Sequence, residues 1–237
     1  YYMDAITDWE ANSLKENHLI SPDLIARKRL AAALINDDRS ISVMINEEDH
    51  LREQCIIKGL RLKSAYDKLS KIDSKIGRSI KFAYDEQLGY LTACPTNLGT
   101  GLRASVMLFL PALTINGNMR EVVRSISRLG LTVRGVYGEG SDAEGYMYQV
   151  SNEVTLGVSE DEIISQVDEV ARKICALENA DREKLKSGSV KLSVKDKCLR
   201  AYGVATNCAS LASGELASLA ADIKLGACLG YIPVDDV

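Results

Sequence analysis

Three consecutive acids followed by a histidine and an arginine, Asn46-Glu47-Glu48-Asp49-His50-Leu51-Arg52, stand directly after a short alternating segment. Successive carboxylates are costly unless they are solvated or matched to a cation. The plain reading is a solvated turn at a strand end. The chemical reading is a carboxylate that grips a cationic substrate and accepts its proton, with Arg52 turned to a phosphate.

Three further places carry reactive side chains. In Cys94-Pro95-Thr96-Asn97-Leu98-Gly99-Thr100-Gly101 a cysteine stands at the edge of an irregular loop held by proline and glycine. A lone cysteine at a strand end is usually a small core residue, but a thiolate beside a guanidinium would have its pKa lowered by that charge. Arg103 is expected in the strand after this loop, and Arg134 lies between Val133 and Gly135. Arginines among core-strand residues need partners, either acids in an ion pair or phosphate oxygens, which suit the guanidinium fork. Gly138-Glu139-Gly140-Ser141-Asp142-Ala143-Glu144-Gly145 reads either as a hairpin tip or as a lid carrying a second carboxylate. It is neither a Walker loop nor a Rossmann turn.

The elements that must hold these residues can be read from periodicity. From Tyr1 to about Ala33 the pattern leans helical and breaks at Ser21-Pro22. Ser40 to Asn46 alternates as a strand. Leu62, Tyr66, Leu69, Ile72, Ile76 and Ile80 form one helix stripe. A strand is expected at Gly89 to Ala93, and a buried one from Arg103 to Leu113, ended by Pro111. A helix follows through Met119, Val122, Val123, Ile126 and Leu129, stopped at Gly130. Strands are expected at Thr132 to Tyr137 and Tyr146 to Val150. Ser159 with Glu162 is a capping box opening a helix through Ile163, Val167, Val170, Ile174 and Leu177. The charged stretch Glu178 to Lys186, with Ser187-Gly188, reads as a domain boundary, and from Ser193 the chain reads as all-helical, a segment that would dock a partner or a second copy. The expected class is α+β, a mainly antiparallel sheet flanked by helices over residues 1–186, followed by a small all-helical segment over 187–237.

Composition narrows the function. With 237 residues, 46% hydrophobic and 26% charged, the chain is long enough for a substantial core. A net charge of −4 excludes a basic face for nucleic acid, so any phosphate site must be a local cluster. The six cysteines form no CxxC pair, which argues against zinc and for reduced thiols in the cytoplasm. No apolar run approaches the ~20 residues of a membrane helix. The chain starts at Tyr1 without a methionine, inside helix-like sequence, and is expected to be a fragment.

Together the four sites resemble the ATP:guanido phosphotransferase superfamily, and its bacterial protein arginine kinase branch most of all. NEEDHLR at Asn46 to Arg52 and CPTNLGTGLRASV at Cys94 to Val106 look like the family's two strongest signatures, in the family's order. RGVYGEGSDAEG at Arg134 to Gly145 looks most like the protein arginine kinases. The resemblance runs from about His18 to the helical tail. It implies that Glu48 is the catalytic base and that Glu47 orients it or helps with the metal and the substrate. Cys94 matches the reactive cysteine beside the guanidino group, and Asn97 falls on the substrate side of that loop. Arg52, Arg103 and Arg134 match positions at the ATP phosphates. Ala104, Ser105, Val106 and Met107, and Gly135, Val136, Tyr137 and Gly138, extend the nucleotide site. His18 matches the histidine that packs on adenine. Glu139 is the preferred second carboxylate, with Asp142 as the alternative.

The resemblance further implies ATP with Mg²⁺, no protein metal ligand, and protein substrates bearing exposed arginine. It also implies a stress-response role in which phosphoarginine marks proteins for a Clp chaperone-protease. A zinc-binding activator, a heat-shock repressor and a homodimer through the helical tail are the implied partners, with neither membrane nor nucleic acid bound directly. The family also has an N-terminal segment with more phosphate-binding arginines and a helical domain with an RDxxRA motif, neither of which lies between Tyr1 and Val237. The competing readings are a kinase of free arginine or another small guanidine, and a non-catalytic scaffold.

Overall fold

The computed structural model describes residues 1–135 and 144–233. The chain divides into two compact units, one made of Tyr1–Arg103 with Thr155–Ile164, the other of Ala104–Val154 with Ser165–Val237. The class is α+β, as the sequence indicates.

In the first unit, α1 (Asp8–Glu16) opens with a capping box between Thr7 and Glu10, and α2 (Pro22–Arg27) opens where the Ser21 hydroxyl accepts the Leu24 N–H. The break at Ser21-Pro22 is therefore a helix N-cap. The strands β1 (Ala32–Ile35), β2 (Ile41–Ile45) and β3 (Leu51–Cys55) form an antiparallel sheet in that order. Only β2 announces itself by alternation. Its centre, Ser42, Val43 and Met44, is buried on both faces. β1, which begins with two alanines at the end of the expected helix-leaning stretch, and β3, polar in Arg52-Glu53-Gln54, are strands because β2 pairs with both. Met44 joins Met3, Leu14, Leu19, Ile20, Leu24, Ala31 and Ala33 in the core of this unit.

β3 packs against α3 (Leu62–Gly77), which stops before Ile80 of the expected stripe. The strand expected at Gly89 to Ala93 is shorter. β4 (Tyr84–Asp85) and β5 (Gly89–Tyr90) make a two-residue ribbon, and the chain then leaves the ladder for the cysteine loop.

In the second unit, β6 (Ser105–Phe109) continues into α4 (Pro111–Ile115) and α5 (Met119–Ser127), followed by β7 (Leu131–Gly135) and β8 (Met147–Asn152). The sheet is antiparallel in the order β6-β8-β7. The long strand expected from Arg103 to Leu113 divides. Arg103 precedes the strand, and Pro111 begins a helix, where its missing N–H costs nothing. The next two N–H groups, of Ala112 and Leu113, are accepted by the buried Glu178 carboxylate at 3.1 and 3.0 Å. Glu178 lies on α6 (Glu160–Leu185), whose start is the Ser159–Glu162 capping box and whose first turn is counted with the first unit. The charged stretch expected at a domain boundary is the last part of this helix, where Glu178 and Asp181 point inward to hydrogen-bond partners. Two further helices follow, α7 (Lys191–Asn207) and α8 (Ser213–Cys228). Val194, Cys198, Leu225, Leu229 and Ile232 pack with Ala112 and Leu185 into a second core.

Among the described residues no helix is long and apolar enough to cross a membrane.

Candidate active site

β2 and β3 are joined by the five residues Asn46 to His50, so the acid motif is a hairpin turn. Asn46 takes a left-handed backbone, φ 58°, a conformation asparagine tolerates, and its N–H bonds to the His50 carbonyl at 3.0 Å. The three acids then separate by role. Glu47 turns inward and is 2% exposed. One carboxylate oxygen accepts the Arg52 guanidinium at 2.7 Å and the other the Glu48 N–H at 2.7 Å. Burial pushes this carboxyl up. The Ser21 hydroxyl, the Glu48 N–H and the Arg52 charge outweigh burial and hold it below the usual range. Glu48 is left exposed at the tip of the turn, its backbone fixed by its neighbour. Asp49 reaches across to accept the N–H of Ala93 at 2.6 Å. That bond ties the acid turn to the residue immediately before Cys94.

The cysteine loop is held from within and from outside. Pro95 to Asn97 form a single 3₁₀ turn closed by the Asn97 N–H on the Cys94 carbonyl at 2.9 Å. Thr92 donates to the same carbonyl, and the Cys94 thiol lies 3.0 Å from the Thr96 hydroxyl. The single Thr155 hydroxyl proton is shared between the carbonyls of Thr96 and Leu98, at 2.9 and 2.7 Å. Gly99 passes so close to this segment that a Cβ would lie 2.3 Å from the Thr155 carbonyl, at φ +103°. Only glycine fits there.

His18 and Arg52 complete the candidate residues on this unit. His18 has an exposed side chain and a left-handed backbone, φ 57°, and its carbonyl accepts Gln54 of β3. Arg52 gives Nη1 to Glu47 and stays half exposed. Its neighbour Glu53 faces the other way. Burial, and then the Asp73 carboxylate on α3, raise the Glu53 carboxyl to about 7. Arg103, also exposed, is the last residue of the segment.

In the second unit the register decides which candidates share a face. Met107 of β6 and Arg134 of β7 both sit opposite Gln149 of β8, so the three form one row, and Ser105 lies on the same side with Ser151 and Thr132. Arg134 and Met107 are exposed. Val106 and Gly135 belong to the alternate rows, and the Ala104 N–H is taken by the Asn152 side chain at 2.8 Å. Val136, Tyr137, Gly138, Glu139 and Asp142 lie outside the described residues.

Taken as chemistry, the first unit sets an exposed carboxylate, a tethered arginine and a thiol on two turns joined by one hydrogen bond. The model of the ATP:guanido phosphotransferase C-terminal catalytic domain matches residues 1–181. The chain belongs to this family. A protein-arginine kinase of Caldanaerobacter subterraneus subsp. tengcongensis is 47% identical over 235 residues, covering 99% of this chain and 69% of that protein. One of Clostridium acetobutylicum is 46% identical over 217 residues, covering 92% of this chain and 64% of that protein. The chain thus spans about two thirds of the length of these curated relatives. Among solved structures, the duplicated taurocyamine kinase of Schistosoma mansoni with bound transition-state-analogue components gives a TM-score of 0.69 at 27% identity, over 84% of this chain and 30% of that one. A lombricine kinase gives 0.65 at 28% identity, over 76% of this chain and 53% of that one.

The family match ends within α6, before α7 and α8. Sequence reasoning missed the residues that hold the family's signatures in place. Asp49 was visible only as one acid among three. Ser21 was visible only as part of a break in the helical pattern, and Thr155 lies far along the chain with no local signal at all.

Proposed function

We propose that the chain is the catalytic core of a protein arginine kinase, moving the γ-phosphoryl group of ATP to arginine side chains of proteins. The observation that carries this reading is the Asp49–Ala93 hydrogen bond, which sets the Glu48 turn beside Cys94, in a chain whose relatives at 46–47% identity are protein-arginine kinases. Phosphoryl transfer asks for positioning and charge stabilisation more than for covalent chemistry. A guanidinium has a pKa above ~12 and is a poor nucleophile until it loses a proton. Glu48 takes that proton as transfer proceeds. Glu47, already committed to Arg52 and the Glu48 N–H, orients the base. Cys94, with Asn97 in the same loop, borders the guanidino group, and Glu139 or Asp142 supplies the second carboxylate. Arg52, Arg103 and Arg134 offset phosphate charge, with Ser105 and Met107 on the row beside Arg134, and His18 packs on adenine. Mg²⁺ enters on the nucleotide phosphates.

Residues 1–186 form the catalytic part on this reading, and 187–237 begin a helical domain, a division in keeping with the family match over 1–181. A cytoplasmic location is in keeping with six free cysteines. Marking of proteins for a Clp chaperone-protease under stress, an activator, a repressor and a homodimer belong to the same proposal. Transfer to a small guanidine is the second reading, favoured by the likeness to taurocyamine and lombricine kinases.

The test is incubation of the full-length protein with γ-labelled Mg-ATP and an arginine-rich protein. Label that is acid-labile and base-stable, as a P–N bond requires, and that falls on the order of 10²-fold in Glu48→Gln supports the role of the base. Near-normal turnover by Glu48→Gln removes it.

A further inference from the structure

The acid turn has a second tether besides the one to Ala93. Asn46, its first residue, donates through Nδ2 to the Leu30 carbonyl at 2.6 Å. Leu30 closes the segment Arg27-Lys28-Arg29-Leu30, which leaves the end of α2 and leads into β1. The Met3 N–H fixes the far end of this segment by bonding to the Ala31 carbonyl at 3.0 Å. The loop therefore stands beside the turn that carries Glu48, within the same compact unit.

All four residues of the loop are exposed, Leu30 by 87%. Lys28 reaches Asp8 of α1 at 2.9 Å across the surface. Among the described residues Arg27 and Arg29 have no acidic partner. The backbone is held against its own preference, with φ 41° at Lys28 and 58° at Leu30. For bulky residues such a conformation is an outlier, kept only where the surroundings enforce it. Cations at a helix C-terminus complement its orphan carbonyls, which accounts for Arg27 and Lys28. It does not account for Arg29, or for an outward leucine on strained backbone beyond the helix end.

The surface is thus bipolar. The acid turn offers Glu48 to a guanidinium, and the loop beside it offers two cations and an apolar side chain. A nucleotide phosphate has use for the cations but not for the leucine, whereas a polypeptide has use for both. We infer that Arg27, Arg29 and Leu30 form a docking element for the protein substrate, selecting target arginines that have acidic and apolar residues close by. The inference rests on the kinase reading above and names the substrate class of that same site.

The experiment uses the full-length protein and two peptides that differ only around a single arginine. One carries Asp and Leu there, the other Asn and Ser. The variants are Arg27→Gln with Arg29→Gln, and Leu30→Ser. Exposed charge pairs are individually weak, so the wild type should use the acidic peptide with a KM lower by about fivefold at low salt. That preference should fade toward about 1 M salt. The double variant should lose it, with kcat and the KM for ATP near the wild-type values. Leu30→Ser should raise the KM for the acidic peptide and keep the salt dependence. Equal use of the two peptides by the wild type overturns the inference, as does a preference that persists in the double variant. A rise in the KM for ATP alone overturns it too, by assigning the loop to nucleotide phosphate. Binding of both peptides, fluorescently labelled, is followed by anisotropy in parallel. A wild-type protein that phosphorylates no guanidine overturns the kinase reading, and anisotropy then decides the loop by itself. Tighter binding of the acidic peptide, lost in the double variant, sustains the docking role, and equal binding overturns it.

Discussion

Glu53 follows Arg52 on β3 but faces α3, and it is the described carboxyl most displaced toward neutrality. Burial is the larger cause and the Asp73 carboxylate the second, and together they carry it from an ordinary 4.5 to about 7. The folded protein therefore holds a proton that the unfolded chain has already released between pH 4.5 and 7. Stability is greatest below this window and falls as pH rises through it. At 1.36 kcal/mol per pH unit the displacement corresponds to about 3.4 kcal/mol, and solvent around a partly buried group reduces that to roughly 1.5 kcal/mol. Glu53→Gln removes the charge and keeps the shape. It should flatten the fall in stability between pH 5 and 8, and above pH 7 raise the melting temperature by about 4 °C for a chain this long. The assay is thermal melting across that range for wild type and variant. Parallel curves would refute the reasoning, because they would mean that Glu53 releases its proton equally in both states.

Glu47→Gln leaves Arg52 without its buried partner, so stability should drop by about 2 kcal/mol, less than for a fully buried pair, and kcat by about tenfold as Glu48 loses its support. Because the Glu47 pKa is lowered on folding, its stabilisation is present above the usual carboxylate range and is lost as pH falls. Acid titration of stability should lack that component in the variant. Gly99→Ala meets the Thr155 carbonyl at 2.3 Å. It should cost about 1–3 kcal/mol and loosen the cysteine loop, read as faster alkylation of Cys94. Glu178→Ala leaves the Ala112 and Leu113 N–H groups and Arg182 without their acceptor. It should lower stability by about 1–3 kcal/mol in chemical denaturation.

The legible parts of the fold are those with a local signal. The α6 capping box, the α3 stripe and the β2 alternation all lie in a few consecutive residues, and each is present as an element. β1 and β3 were invisible because pairing with β2, not their own composition, makes them strands. Pro111 misled because proline ends a strand and begins a helix equally well. Only the buried Glu178, sixty-odd residues on, decides between the two. The charged end of α6 stood out only as a charged stretch at an expected domain boundary, because the sequence does not reveal which acids turn inward. At the candidate site, Glu48 and Cys94 stood out by type and motif. The groups that hold the two motifs, Asp49, Ser21 and Thr155, act through hydrogen bonds to residues distant in the chain, which leave no pattern in the sequence.

The measurement closest to the central claim is a competition. The full-length protein is given Mg-ATP with an arginine-bearing protein, free arginine, taurocyamine and lombricine, and the products are resolved by mass spectrometry at neutral pH. Phosphoarginine on the protein, abolished by Glu48→Gln, with the small guanidines unmodified, is the predicted result. Phosphorylation of a small guanidine alone, or of none of the four, would contradict it.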